Sequence, residues 1–426
     1  MLTWVVGVFV GTIVLGIPIA IVLGFSTMIP FWVFARNLLV IPQRLITGID
    51  SFPLMAIPFF MLAGEVMTAA GITERIARFA TAVFGHIRGG LAHMNVAASM
   101  IFAGISGSGL ADAAGLGPIE IRIMLKGGYD LRFSTAITAA SAVLGPIIPP
   151  SILMVIYAVA EPSVSIAALF LAGFVPGILL GGALMVYCYF ISWKRDYPVL
   201  PGHISLRELN RGFLAAFPAL VMPLIIIGGI LSGVFTPTEA GAVATVYALL
   251  FGVLVVRTLH LRDIPGLFLR SGVTTSVVLL IIGMASGLSW LLATLQVPQK
   301  IVALFLGISN DPRIFLLCAN ILLLFVGMVM DITAGLIIFV PILAPVAGLL
   351  GINQLHFAMV VVFNLCIGMI TPPVGNILFI LCSITKLSIE SLVRELWPFI
   401  VVEIAVLLLI TYVPATTLVV PRFFGF

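Results

Sequence analysis

Two long apolar stretches of this chain are each interrupted by a pair of adjacent prolines. The first interruption reads GPIIPP over 145–150, and the second reads GMITPP over 368–373. Proline lacks a backbone N–H and stops a helix, and hydrocarbon tolerates irregular backbone only where it is buried in protein or lines a cavity. The two breaks are separated by just over half the length of the chain. Matching breaks in two halves of a membrane chain indicate a transport site.

Composition places the chain in a membrane. It is 62% hydrophobic and 8% charged over 426 residues, values outside the range of water-soluble domains. The first apolar run has neither a basic start nor a cleavage site, so we interpret it as a retained span. The cysteines are scattered and form no C-x-x-C pair, which argues against disulfides and zinc. The predicted spans lie near 2–24, 51–70, 132–160, 166–192, 213–232, 237–256, 272–295, 355–385 and 396–420.

Two further apolar stretches, 91–125 and 314–350, carry Gly, Ser or Asp near their middles. Each is long enough for two short helices and a tight turn, so we predict two re-entrant hairpins. Two ordinary spans in each stretch are the alternative. Residues 26–50 and 257–271 place arginines among apolar residues, a pattern typical of helices at the membrane interface.

The distribution of Lys and Arg predicts an orientation. With the N-terminus in the cytoplasm, five of the 20 Lys and Arg residues fall on the far side and the other fifteen on the cytoplasmic side, as the positive-inside rule expects. This threading opens the two hairpins to opposite sides, so the halves are inverted. The net charge of +4 therefore reports topology and not nucleic-acid binding. The far-side residues are Arg36, Arg44, Lys300, Arg313 and Arg422.

The spacing between the two breaks recurs elsewhere in the chain. The sequence therefore predicts a first inverted repeat over 1–192, a connector with a linking span over 193–236, and a second repeat over 237–426. The most polar part of the connector contains His203. A constant spacing without gaps is the mark of an internal repeat. Matching pairs at that spacing are Gly64 and Gly287, Pro118 and Pro341, and Ser165 and Ser388.

The first hairpin turns at a Ser-Gly-Ser-Gly run over 106–109. A broken helix leaves carbonyl and N–H groups unpaired; carbonyls and serine oxygens suit Na⁺, and helix N-termini suit an anion. A contact between small residues of two helices is the alternative. The predicted first Na⁺ site comprises Ser106, Ser108, Gly145, Ile148 and Pro150.

The repeat maps this site onto the second half, where Ser108 corresponds to Asp331 and Ile148 to Thr371. The predicted second Na⁺ site comprises Gly327, Asp331, Thr333, Gly368, Thr371 and Pro373. We predict that four residues near the tips and breaks face the substrate, namely Gly107, Asp112, Ser151 and Asn376.

Acidic residues inside spans are functional candidates, but each has a structural alternative. Asp112 and Asp331 could instead cap the helices that follow the two hairpin turns. Glu65 and Glu403 have no motif around them and are interpreted as buried or snorkelling groups. Glu239 belongs to a Thr-Pro-Thr-Glu run that predicts a capping box.

An enzyme is the alternative from a different functional class. Gly104-Ile105-Ser106-Gly107 matches the G-x-S-G of rhomboid-type intramembrane proteases, in which the serine needs a histidine base. Of the five histidines, only His93 lies in an apolar stretch, in the same hairpin as Ser106. No Walker A, zinc-protease or dinucleotide motif is present, so neither ATP hydrolysis nor a cofactor is predicted.

Over its whole length the chain resembles the large membrane subunit of tripartite ATP-independent periplasmic (TRAP) transporters. The order and spacing of four motifs carry the resemblance: SGSGLADA at 106–113, GPIIPP at 145–150, FTPTEA at 235–240 and GMITPPVGN at 368–376. The resemblance implies an elevator-type transporter fold in the bacterial inner membrane, with Na⁺ as the coupling ion. The tip and break residues named above match the family's motifs.

The resemblance also implies what the subunit works with. A periplasmic binding protein would deliver the substrate, and a small membrane subunit would complete the permease within the membrane lipid. Substrates in the family are organic acids such as C4-dicarboxylates and sialic acid or other sugar acids, and we favour sialic acid. A stand-alone ion-coupled carboxylate symporter of similar fold is the alternative.

Overall fold

The computed structural model describes residues 1–199, 206–308 and 311–426, and all regular structure in these ranges is helical. The predicted fold class is confirmed: an all-α polytopic membrane protein with helical hairpins and broken helices. Residues 200–205, a part of the predicted connector that includes His203, lie outside the described residues.

The first half of the chain contains eleven α-helices. A 3-10 turn over Phe52–Met55 leads into the fourth helix, and a π-helical segment over Asp112–Leu116 joins the seventh to the eighth. The helices are α1 (Leu2–Val14), α2 (Ile19–Val33), α3 (Val40–Ile49), α4 (Ala56–Ala69), α5 (Ile72–Phe84), α6 (Gly90–Ser106), α7 (Gly109–Ala111), α8 (Gly117–Lys126), α9 (Leu131–Ala142), α10 (Ile152–Ala160) and α11 (Ile166–Lys194).

The second half follows the same order. A π-helical segment over Phe251–Val256 and a 3-10 turn over Leu261–Asp263 separate its second and third helices. The helices in its described part are α12 (Leu206–Leu231), α13 (Pro237–Leu250), α14 (Ile264–Thr294), α15 (Val297–Ile308), α16 (Pro312–Val329), α17 (Ile332–Leu349), α18 (Gln354–Gly368), α19 (Asn376–Thr385), α20 (Ile389–Tyr412) and α21 (Ala415–Phe423).

The repeat is visible in the helix boundaries. The helix α9 begins at 131 and α18 begins at 354, and α11 and α20 begin at 166 and 389, so both pairs keep the spacing that separates the two breaks. The hairpin α6–α8 thus corresponds to α16–α17, and the broken helix α9–α10 corresponds to α18–α19. The predicted limits of the three parts of the chain stay predictions.

By length and composition, seven helices of the described residues can cross a membrane, or eight if the bent pair α20–α21 forms one span. Both arms of the second hairpin, α16 and α17, are among the seven. Length alone therefore does not separate a re-entrant hairpin from two spans. The half-helices α9, α10, α18 and α19 are each shorter than a span, as expected of helices broken inside the membrane.

Two predicted helix boundaries are wrong. The span predicted at 2–24 is split, because Gly16 adopts a left-handed φ of +73° after α1 and Pro18 precedes α2. The interface helix predicted at 257–271 and the span at 272–295 are largely one helix, α14, of 31 residues. Neither Gly266 nor Gly272 interrupts α14, because helix packing on its flank outweighs the weak helix propensity of glycine.

The helices form a frame around an inner body. The frame contains α2, α3, α4, α12, α13 and α14, with α13 packed along α4 and α14 packed along α2 and α3. Both hairpins and both broken helices belong to the inner body, together with α11 and α20. Contacts of α4 with α6 and of α14 with α17 connect frame and body, so the face between them meets both hairpins.

Candidate functional site

The first hairpin turns on a single glycine. The helix α6 ends at Ser106, and Gly107 takes a left-handed φ of +61°, which glycine adopts without a Cβ clash. Ser108 then caps α7 by accepting a hydrogen bond from the Ala111 N–H at 3.4 Å. The Ser106 hydroxyl lies 3.5 Å from the Ser108 carbonyl oxygen. The turn therefore gathers several serine oxygens at one tip.

This tip lies directly against the first helix break, the segment 143–151 between α9 and α10. The Ile152 N–H donates to the Gly107 carbonyl at 3.4 Å. A methyl group on Gly145 would lie 2.7 Å from the backbone nitrogen of Gly109. The two segments are thus in backbone contact, and glycine is required at 145 because no side chain fits between them.

The second hairpin meets the second break, 369–375, in the same way. The Val374 N–H donates to the Met328 carbonyl at 3.1 Å. Gly368 packs on Gly327 so closely that a methyl group on Gly368 would lie 2.5 Å from the Gly327 Cα. Both breaks contain a cis peptide bond, Pro149–Pro150 in the first and Pro372–Pro373 in the second.

Asp331 organises the second tip. It precedes α17, and its Oδ1 accepts a hydrogen bond from the Thr333 N–H at 2.9 Å. Its Oδ2 accepts from the Asn376 amide at 3.5 Å, and Asn376 begins α19. One carboxylate therefore caps a hairpin helix and also contacts the first residue of the second half-helix, so capping and a site role are compatible.

Both tips line one cavity of about 700 Å³. Its body side is formed by 106–111 from the first tip, 331–333 from the second and parts of α10, and its frame side by α4 and α14. Since the two tips meet there, both hairpins turn inside the protein. This arrangement favours re-entrant hairpins over ordinary pairs of spans.

The structure brings most of the predicted site residues together, in two layers. The first layer lines the cavity and contains Ser106, Gly107, Ser108, Asp331 and Thr333. The second layer lies behind the tips, where break and hairpin backbones touch, and contains Gly145, Pro150, Gly327, Gly368 and Asn376. Each predicted cation site would then combine side chains from the cavity layer with backbone from the layer behind the tips.

Five predicted residues lie elsewhere. The Ile148 side chain packs near Gly177 of α11, and Pro373 is exposed at the second break. The Thr371 hydroxyl donates to the Ile367 carbonyl at 2.7 Å. Ser151 is fully buried and caps α10, and Asp112 is buried outside the cavity lining. The structure thus gives Ser151 a capping role, and it places Asp112 inside the first hairpin.

Sequence reasoning missed the frame side of the cavity. Glu65 and Thr68 of α4 line it opposite the tips, together with Ser271 and Thr274 of α14. Glu65 also pairs with Arg270 at 3.7 Å. A glutamate inside a predicted span was the available signal, but nothing in the sequence around it indicates that α4 faces the hairpins.

Each repeat also contains a buried polar network between its hairpin and its broken helix. In the first, the Ser141 hydroxyl donates to Asn95 at 2.8 Å. In the second, the Asn364 amide donates to the Asn320 side chain at 2.9 Å. Ser141 and Asn364 occupy equivalent positions of the two repeats. These neutral hydrogen bonds attach each hairpin to its half-helix and hold the tips in register.

The structure does not support a protease. Ser106 and His93 lie at opposite ends of α6, about 20 Å apart at the α-helical rise. The His93 Nδ1 instead contacts the Gly89 carbonyl at 2.7 Å. A base at that distance cannot take the serine proton.

A membrane fold in which two hairpins and two broken helices converge on one cavity defines a transporter and not an enzyme. The chain belongs to the family described as "Tripartite ATP-independent periplasmic transporter, DctM component", whose model matches residues 6–416. The predicted family is therefore confirmed.

Several relatives are similar over most of their length. The chain is 45% identical to the sialic acid TRAP transporter large permease protein SiaM of Vibrio cholerae, covering 90% of this chain and 89% of that protein. It is 41% identical to the C4-dicarboxylate TRAP transporter large permease protein DctM of Pseudomonas aeruginosa, covering 88% of each. It is also 42% identical to the uncharacterized protein YgiK of Salmonella typhimurium, covering 98% and 97%.

Two solved transporters share the fold. The YdaH transporter of Alcanivorax borkumensis superposes with a TM-score of 0.63 at 15% identity, covering 88% of this chain and 87% of that one. MtrF of Neisseria gonorrhoeae gives 0.61 at 15% identity, covering 88% and 83%. At such low identity the likeness concerns the fold alone, and it confirms the elevator-type architecture.

Family membership establishes the general role. The chain is the large permease subunit of a TRAP transporter for organic acids and a multi-pass protein of the bacterial inner membrane. A tripartite system implies two partners, a small membrane subunit and a periplasmic binding protein.

Proposed function

We propose that this subunit couples the inward movement of Na⁺ to the import of an organic acid, by an elevator motion of the inner body against the frame. One observation carries the proposal: the cavity lining contains two carboxylates, Glu65 and Asp331, and no Lys, Arg or His among its described residues. An acid entering this cavity meets no positive side chain in that lining.

Arg270 of α14 lies beside the lining but pairs with Glu65 at 3.7 Å. Asp331 has no basic partner among the described lining residues, so a negative substrate would still need a positive counter-charge there. The helices α10, α17 and α19 begin in the region between tips and breaks, and each N-terminus contributes a partial positive charge. Ser151 and Asp331 already accept hydrogen bonds from N–H groups of α10 and α17. A hard cation at each tip would add a full charge, held by serine, aspartate and backbone oxygens. Cation binding then becomes a condition for substrate binding.

For the substrate itself we propose a sugar acid of the sialic acid type. A cavity of about 700 Å³ is in the range that encloses drug-sized ligands, which is large for a four-carbon dicarboxylate. Hydroxyl groups of Thr68, Ser271 and Thr274 on the frame side can accept or donate hydrogen bonds to a hydroxylated substrate. The 45% identity to SiaM is compatible with this choice.

Uptake by the reconstituted complex tests the coupling. The permease would be placed in liposomes with its small subunit, and the binding protein would be added outside with radiolabelled sialic acid or succinate. We expect uptake of sialic acid only with an inward Na⁺ gradient, and no loss of uptake with a protonophore. Uptake that ignores Na⁺ and collapses with the protonophore would refute Na⁺ coupling. Uptake of succinate alone would refute the substrate assignment.

Two variants test the tips. Ser108→Ala and Asp331→Ala should each raise the Na⁺ concentration needed for half-maximal uptake. Ser232→Ala is the control, because its hydroxyl is exposed and donates to the Gly229 carbonyl of its own helix at 3.1 Å. If both tip variants respond to Na⁺ as the control does, the side-chain assignments are wrong.

A further inference from the structure

A second pair of carboxyl groups lies inside the first hairpin, away from the cavity. Asp112 is 1% exposed and Glu120 is fully buried. None of their four carboxylate oxygens has a hydrogen-bond partner among the described residues. Both carboxyl groups lie near the Ser99 side chain of α6, whose hydroxyl donates to Ser141. The pair is separate from the cavity residues, since neither member lines the cavity.

The surroundings of this pair are polar but neutral. Ser99 donates to Ser141 at 3.1 Å, Ser141 donates to Asn95, and the Asn95 amide donates to Thr138 at 2.7 Å. No ion pair of the described residues includes Asp112 or Glu120. The nearest cations along α8, Arg122 and Lys126, are exposed. Nothing in the described protein therefore balances the two carboxyl groups.

The local helix geometry brings the two carboxyl groups to one side. The π-helical segment Asp112–Leu116 lies between them and delays the helical rotation. Such π segments are rare and occur frequently at functional sites. Both side chains thus reach Ser99 of α6, although eight residues separate Asp112 from Glu120.

We propose that Asp112 and Glu120 hold a hard metal cation between the arms of the first hairpin, with Ser99 as a neutral oxygen ligand. A buried carboxylate without donors is stable only when it coordinates a metal, pairs with a charge or takes up a proton. Carboxylate and hydroxyl oxygens are the ligands of Na⁺, Mg²⁺ and Ca²⁺. The ion would fix the hairpin arms α6 and α8 against α9, and it does not depend on the identity of the transported acid.

Carbodiimide labelling of the wild-type protein tests the proposal without any variant. Dicyclohexylcarbodiimide reacts with buried protonated carboxyl groups, and a bound metal blocks the reaction. The purified complex would be labelled in NaCl, MgCl₂, CaCl₂ or choline chloride at constant ionic strength, and modification at Glu120 would be read by mass spectrometry. One metal at ten times its dissociation constant should lower labelling of Glu120 about tenfold.

Glu403 provides a matched control in the same molecule. It is fully buried, and its carboxylate oxygens likewise have no hydrogen-bond partner among the described residues. No second carboxyl group interacts with it among the described residues, so its labelling should not change with the metal. If no metal protects Glu120, or if Glu403 is protected equally, the pair is neutralised by protons and the proposal is overturned.

Ion counting gives the second test. Equilibrium binding of radioactive Na⁺ or Ca²⁺, whichever protects Glu120, should show one ion fewer per subunit in Glu120→Gln than in the wild type. Glu403→Gln should bind the full number. An unchanged ion count in a correctly folded Glu120→Gln protein would overturn the proposal. If that variant does not fold, the labelling of the wild type decides alone.

Discussion

Gly368→Ala is the most direct test of the contact between the second hairpin and its break. The new methyl group would lie 2.5 Å from the Gly327 Cα, 2.6 Å from its carbonyl carbon and 2.8 Å from its carbonyl oxygen. All three atoms are backbone, so no side chain can rotate out of the way. The second predicted cation site requires this close approach of the two backbones.

The size of the effect follows from the distances. Ordinary contact starts at 3.4 Å, so the hairpin must move by about 0.9 Å from the 2.5 Å approach. Overpacking of this kind costs about 1–3 kcal/mol, and a rigid backbone neighbour puts the cost near the upper end. If the cost falls on the cation-bound state, affinity for Na⁺ decreases about 10- to 100-fold, because 1.4 kcal/mol is tenfold.

Thermal unfolding against Na⁺ concentration measures this without a known substrate. Ligand binding to the folded state raises its stability by an amount that depends on concentration relative to the dissociation constant. The purified complex would be titrated with NaCl, with choline chloride keeping the ionic strength constant. Gly368→Ala should need about 10 to 100 times more Na⁺ than the wild type for the same rise in melting temperature.

Two other glycines make the experiment a graded series. A methyl group on Gly327 would lie 3.0 Å from the Gly368 Cα, so Gly327→Ala needs a smaller shift and should have an intermediate effect. A methyl group on Gly182 of α11 would meet nothing within 4 Å, which makes Gly182→Ala the control. If Gly368→Ala titrates like Gly182→Ala, the close approach has no role in cation binding.

Three further substitutions test the support of the site by thermal unfolding. Ser151→Ala removes the cap of α10 and should lower stability by about 1 kcal/mol. Asn364→Ala removes the donor to the buried Asn320 Oδ1, while the Asn320 amide still donates to Thr411, and the unsatisfied oxygen should cost about 1–3 kcal/mol. Arg195→Ala removes a 2.6 Å ion pair with Glu395 and should cost about 1 kcal/mol, less in high salt because the pair is partly exposed.

Each of these substitutions has a control outside the site. Ser388→Ala removes the cap of α20, a side-chain oxygen that accepts from the Ser391 N–H at 3.4 Å. It should lower stability but leave the Na⁺ response unchanged, whereas Ser151→Ala should alter both. Asn37→Ala and Arg394→Ala change exposed side chains and should have little effect. If Asn364→Ala is as stable as Asn37→Ala, the buried amide does not support the site. If the loss of stability in Arg195→Ala does not change with salt, the ion pair is not its cause.

Proline pairs and glycine tips could be predicted from sequence because their effects are local. Single prolines such as Pro176 are accommodated inside helices here, but two adjacent prolines after a glycine remove too many helix hydrogen bonds, so the breaks at 145–150 and 368–373 follow from residues alone. Prediction from sequence failed where contacts between helices determine the helix boundaries. The single helix α14 replaces two predicted elements because α2 and α3 pack along it, and no local signal records that contact.

The same distinction applies to the site. Ser108 and Asp331 could be placed at the tips because each follows the turn of a hairpin. Asp112 could not be placed, because the π-helical segment that begins with it changes the helix rotation. Thr68 and Thr274 were missed because membership of the cavity wall depends on how the frame packs against the body. A residue's place in the cavity wall depends on how two helices pack against each other, so the local sequence of either helix does not reveal it.

The charge distribution of the cavity gives a physical reason for coupling. Asp331 lines the cavity, Glu65 pairs with the neighbouring Arg270, and no basic side chain is among the described lining residues. The described lining therefore offers an acid no basic side chain. In the proposed mechanism, a cation bound at each tip would offset the negative charge of Asp331 and would also hold hairpin and break together. Substrate and ion then favour each other's binding by equal free energies. The proposed coupling therefore predicts little transport of the acid without the ion, because the acid would then enter beside an uncompensated carboxylate.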